Sequence, residues 1–80
     1  MPVVLRVGGF SFKFYSNDHA PPHVHVTRAG TTCRVLLDGL VVTDTTMKPA
    51  DEAKALLLVT RHRGELALAW TNFQLKKKSA

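Results

Sequence analysis

The stretch that most limits the fold is "VVLRVGGFSFKFY", Val3 to Tyr15, two strand-like runs either side of Gly8-Gly9. Adjacent glycines supply the two positive φ angles that a two-residue hairpin turn requires. Beyond the turn, Phe10, Phe12 and Phe14 alternate with Ser11, Lys13 and Tyr15. A period of two places successive side chains on opposite faces of a strand. Three phenylalanines on one face demand burial, so the hairpin must lie against another layer. Val3, Leu5 and Val7 are expected to join them, which sends Val4 and Arg6 to the opposite side.

The same alternation organises the chain as far as Asp44. "SNDHAPP" is a loop, because turn formers precede two prolines that cannot donate ladder hydrogen bonds. In "HVHVTR", placing Val24 and Val26 on the phenylalanine side turns His23 and His25 to the other face. A turn at Ala29-Gly30 leads to "TTCRVLL", where Cys33, Val35 and Leu37 alternate with Thr32, Arg34 and Leu36. Asp38-Gly39 marks the next turn, and "LVVTD" is a short fifth strand.

After Asp44 the period changes. Pro49 suits a first helical turn, and Asp51 and Glu52 complement the positive end of the helix dipole. Leu56, Val59, Arg63, Leu66, Trp70 and Phe73 recur at steps of three and four, one helical stripe interrupted by Arg63. From there Arg63 either pairs with a carboxylate such as Asp38 or Asp44, or serves a binding surface together with His62. Gly64 weakens the helix by about 1 kcal/mol relative to alanine, so two helices joined near it are the alternative to the expected single long one. The pattern predicts one α+β domain over residues 1–80. Strands within 3–44 form a four- to five-stranded antiparallel sheet, a helix over about 49–75 covers one face, and a basic tail occupies 76–80.

Composition excludes several classes. Eighty residues make one small domain with a thin core. A single cysteine, Cys33, cannot form an intramolecular disulfide, which points to a reducing, cytoplasmic setting. No apolar run approaches the roughly 20 residues that span a bilayer, and the apolar run before Arg6 is too short for a secretory signal. No membrane partner is expected. Eleven Lys and Arg against six acids give a net charge of +5, which favours polyanionic partners. Lys76, Lys77 and Lys78 are expected to be a solvated run.

The face opposite the phenylalanines inherits Arg6, Lys13, Tyr15, His23, His25 and Arg34. Histidines two apart on a strand project side by side, and imidazoles both take and give protons near neutrality. On RNA, one histidine would deprotonate a ribose 2′-hydroxyl and another protonate the leaving oxygen, while Arg34, Lys13 or Arg6 stabilises the phosphorane. That chemistry needs no metal and no cofactor. Bound metal is the other use of such spacing, with Asp18, His19 and His62 as candidate further ligands at no diagnostic separation. The same surface would equally bind RNA, or an acidic protein, without cutting anything.

"MPVVLRVGGFSFKFYSND", "PPHVHV", His62-Arg63 and "AWTNF" at Ala69 to Phe73 together resemble the small bacterial family known as domain of unknown function four-one-six-zero. The resemblance covers nearly the whole chain, and PPHVHV is its most specific part. It implies a strand-rich first half followed by a helix, and it carries over Tyr15, His23, His25, His62 and Arg63. It also implies a neighbouring gene for a second small protein, in a toxin–antitoxin-like pair, although no activity is established for the family. Where family members usually place an acid just before the prolines, this chain has His19 and Ala20, and Asp18 is the nearest carboxylate. Gly64 and Arg61 stand where glutamates are common. The expected function is therefore a toxin-like component acting on RNA, with Tyr15, His23 and His25 catalytic and Arg6, Lys13, Arg34, His62 and Arg63 binding. The alternative is a non-catalytic module that docks an acidic small protein from the adjacent gene.

Overall fold

Five strands follow one another as an antiparallel meander: β1 (Val3–Val7), β2 (Phe10–Lys13), β3 (His23–Arg28), β4 (Thr31–Leu36) and β5 (Val41–Thr43), paired in chain order. Two helices, α1 (Pro49–Arg61) and α2 (Arg63–Ser79), complete the α+β domain in this computed structural model, which describes residues 3–15 and 18–79. The expected inward placement of the Val3 side chain and the solvation of Lys77 and Lys78 lie outside the described residues.

Two of the turns are two-residue hairpins with both central φ angles positive. Gly8 and Gly9 sit at +54° and +84°, joining the Val7–Phe10 pair, and Ala29 and Gly30 sit at +47° and +82°, joining Arg28 to Thr31. Ala29 holds a left-handed conformation that an L side chain with a Cβ resists. Ala29→Asn is therefore expected to stabilise the fold by about 0.5–1 kcal/mol, because Asn-Gly is the pair this turn favours; chemical denaturation of the two proteins measures it.

The inner face is built as the alternation dictates. Phe10, Phe12, Phe14, Val24, Val26, Cys33, Val35 and Leu37 are all buried, joined by Met47, by Ala55, Leu58 and Val59 from α1, and by Leu66 and Trp70 from α2. The Cys33 thiol is pushed up to about 11 by burial, with the charge of Glu52 adding to it, so it packs as a small hydrophobe and is no nucleophile. Arg28 ties the first turn to the helical layer: Nη1 donates to the Gly8 carbonyl at 3.1 Å, and Nε lies 3.6 Å from Asp51 on α1.

Two expectations are corrected. Register shifts between Val3 and Leu5, so a bulge in β1 brings Val4 against the core instead of sending it to the far face. The helix is also two helices. His62 leaves helical geometry at φ −108° and ψ 18°, its N–H closing α1 on the Leu58 carbonyl and its own carbonyl accepting the Leu66 N–H. Its Nδ1–H donates to Glu65 Oε1 at 2.8 Å, a side-chain bond across the first turn of α2. The break turns Arg63 to solvent, whereas an unbroken stripe would have pressed a guanidinium into the core at a large desolvation cost. Among the described residues Arg63 makes no ion pair; it borders a shallow groove with Asp38, Leu37 and Pro22, and Asp44 pairs elsewhere.

Candidate functional site

On the face away from the helices, strand register lines up Lys13, His25, Arg34 and Thr43 in one row across β2 to β5. Alternation turns each of them from the core, because their strand neighbours Phe12, Val24, Val26, Cys33 and Val35 are buried. Arg34 is held in the row: its Nε–H donates to Thr43 Oγ1 at 3.0 Å, and Nη2 pairs with Asp44 Oδ2. Asp44 is 71% exposed, so the guanidinium can exchange that partner for another anion at small cost.

The segment between β2 and β3 closes one end of this row. Tyr15 places its ring 4.4 Å from that of His25, edge-on, with Lys13 Nζ 5.6 Å over its face. The loop then carries Asp18 inward. Its Oδ2 accepts the Tyr15 backbone N–H at 2.8 Å, and its Oδ1 faces Nε2 of His25 at 3.1 Å and of His23 at 3.3 Å. Burial opposes charge on this carboxyl, but the Tyr15 N–H, the His25 hydrogen bond and the nearby charges of His25 and His23 outweigh it, holding Asp18 below the ordinary carboxylate range.

His23 differs from the expected outward histidine. It is only 6% exposed, because the loop lies over it and Trp70 of α2 packs at 5.2 Å. Its Nδ1–H donates to the Pro21 carbonyl at 2.8 Å, which fixes the ring and leaves Nε2 for Asp18. The two imidazoles stand 5.1 Å apart, nearly perpendicular, and turn towards the same carboxylate oxygen.

These groups line a cleft of about 660 Å³ that holds Tyr15, Asp18, His23, His25, Arg34 and Thr43. A smaller hollow of about 160 Å³ continues past Tyr15, His25 and Arg34 as far as Asp44. Of the residues expected from sequence, Tyr15, His23, His25 and Arg34 come together here, with Lys13 at the edge. Arg6 is exposed on the same face but outside the cleft, beside Ser11. His62 and Arg63 lie on the helical side, His62 engaged by Glu65. Asp18 is the central residue that strand alternation alone did not select; the available signal was its standing as the nearest carboxylate before the prolines.

A family model, Domain of unknown function (DUF4160), matches residues 9–71. The chain belongs to this family. The matched span of the DUF4160 domain contains every cleft residue named above, together with Trp70, which backs His23. No curated protein and no solved structure matches the chain.

Proposed function

We propose that this domain is the RNA-acting member of a bacterial two-gene, toxin–antitoxin-type module, cleaving a phosphodiester at the Asp18–His25 centre. The observation that carries the reading is a buried carboxylate bonded to His25 at the floor of an open cleft, with Arg34 beside it. A carboxylate fixed on imidazole nitrogen orients the ring, which suits it to a proton-transfer centre. Arg34 and Lys13 offer charge to a phosphate, and Tyr15 offers a ring on which an unpaired base can stack. The net charge of +5 adds long-range attraction for a polyanion. The two adjoining hollows suit an extended ligand better than a small compact one.

The reaction is a transesterification. The 2′-hydroxyl gives its proton to the centre, its oxygen bonds to phosphorus, the bond from phosphorus to the 5′ oxygen breaks, and the leaving oxygen regains a proton. Purified protein is expected to cut labelled single-stranded RNA into fragments ending in a cyclic phosphate, and His25→Ala to slow this by at least ~100-fold. Equal rates for the two proteins would remove the catalytic reading. Tight association with an acidic partner protein, unaffected by loss of His25 and without RNA cleavage, would instead favour a docking module.

A further inference from the structure

We propose that Asp18, His23 and His25 form a three-ligand site for a divalent, zinc-type metal ion, with its remaining coordination positions open to the cleft. One ligand atom from each residue lies within 4.8 Å of the other two. Two donors bound at about 2.0–2.1 Å to one tetrahedral ion stand roughly 3.4 Å apart. Asp18 Oδ1 stands 3.3 Å from His23 Nε2 and 3.1 Å from His25 Nε2.

The hydrogen bonds around these atoms point the same way. A carbonyl oxygen only accepts, so the contact with Pro21 puts the His23 proton on Nδ1. In the neutral ring Nε2 then carries a lone pair, and that lone pair faces an anionic oxygen. Two lone pairs at such a distance repel unless positive charge lies between them; a proton on Nε2 supplies that charge, and so does a metal cation, which adds a bond to each atom. Histidine ligands commonly donate their second nitrogen to a backbone carbonyl in this manner, and ligating carboxylates are themselves held by hydrogen bonds. Here Pro21 holds His23, and the Tyr15 N–H holds the other oxygen of Asp18.

Two imidazoles and one carboxylate suit zinc and its first-row neighbours better than magnesium or calcium, which prefer oxygen donors. Three protein ligands with an open position is the pattern of reactive metal sites, in which the pKa of bound water falls to about 7. Hydroxide held there would take the 2′-hydroxyl proton and, as water, return a proton to the leaving oxygen. That consequence rests on the RNA reading, whereas the metal site does not.

The test is therefore made without RNA. Folded full-length protein is dialysed against zinc and titrated with cobalt, whose visible absorption reports a histidine-containing site. Wild type is expected to take up one ion per chain. His25→Ala, at a partly exposed position, is expected to weaken uptake by more than the roughly 10–100-fold that losing an outer-shell partner costs. His62→Ala is expected to bind as wild type does. Folded wild type that takes up no stoichiometric metal, or His25→Ala that matches it, would overturn the site. Metal uptake without RNA cleavage would keep the site and discard the RNA reading, and the converse result would do the reverse.

Discussion

Phe12→Ala is expected to cost about 3–5 kcal/mol, the range for deleting a fully buried aromatic ring. Phe12 has no exposed surface and sits in the middle of β2, facing Leu5 across one pair and Val26 across the other. Neither neighbour can follow the lost ring inward, because both are fixed in strand ladders. A domain of this size has roughly 4–12 kcal/mol of total stability at about 0.05–0.15 kcal/mol per residue. The substitution therefore removes a large share of it. Urea denaturation followed by circular dichroism should show the midpoint falling by more than ~2 M, given slopes near 1 kcal/mol per molar for small proteins. A loss below ~1 kcal/mol would mean that β2 is not the centre of the core.

Asp18→Ala is the second large effect, and it joins stability to the site. The carboxylate accepts the Tyr15 N–H and faces both imidazoles, so alanine strips several buried or half-buried polar groups of one partner at once. Each buried polar group left without its partner costs about 1–3 kcal/mol, and water reaching His25 from the cleft recovers part of that. The expected loss is about 2–4 kcal/mol, read by the same denaturation measurement. Much less than 1 kcal/mol would show that Asp18 does not order the loop over His23.

Most of the fold was legible because it is local. Gly8-Gly9, Ala29-Gly30 and Asp38-Gly39 punctuate the strands, and the alternation of Phe10, Phe12 and Phe14 assigns faces to each neighbour that pairs with them. The β1 bulge at Val4 was not legible, since one extra residue in a run of valines and leucine leaves no mark on composition. The helix break lay two residues from Gly64, the expected weak point. It falls at His62, where a side-chain bond to Glu65 and the penalty for burying Arg63 favour the break.

In the site, alternation correctly grouped Lys13, His25 and Arg34, because pairing register carries that information across the sheet. It also put His23 beside His25 but missed its burial, and it did not select Asp18; both depend on long-range contacts. Trp70 of α2 packs against His23, and Gln74 Nε2–H donates to the Asp18 carbonyl from 56 residues away. No spacing between adjacent residues encodes such contacts. Among the described residues no helix is long and apolar enough to cross a membrane, in agreement with the short apolar runs of the sequence.

In the proposed reaction, Asp18 is the group that gathers two histidines into one centre. Asp18→Asn nearly preserves the size of the side chain and keeps an oxygen for the Tyr15 N–H, while it removes the negative charge that faces His23 and His25. The most direct measurement is the rate of RNA cleavage by Asp18→Asn and wild type, each first shown to be folded by circular dichroism. Wild type is expected to cleave and the variant to be slower by at least ~100-fold, equivalent to about 2.7 kcal/mol of transition-state stabilisation. A folded Asp18→Asn protein that cleaves RNA as fast as wild type would contradict that role for Asp18.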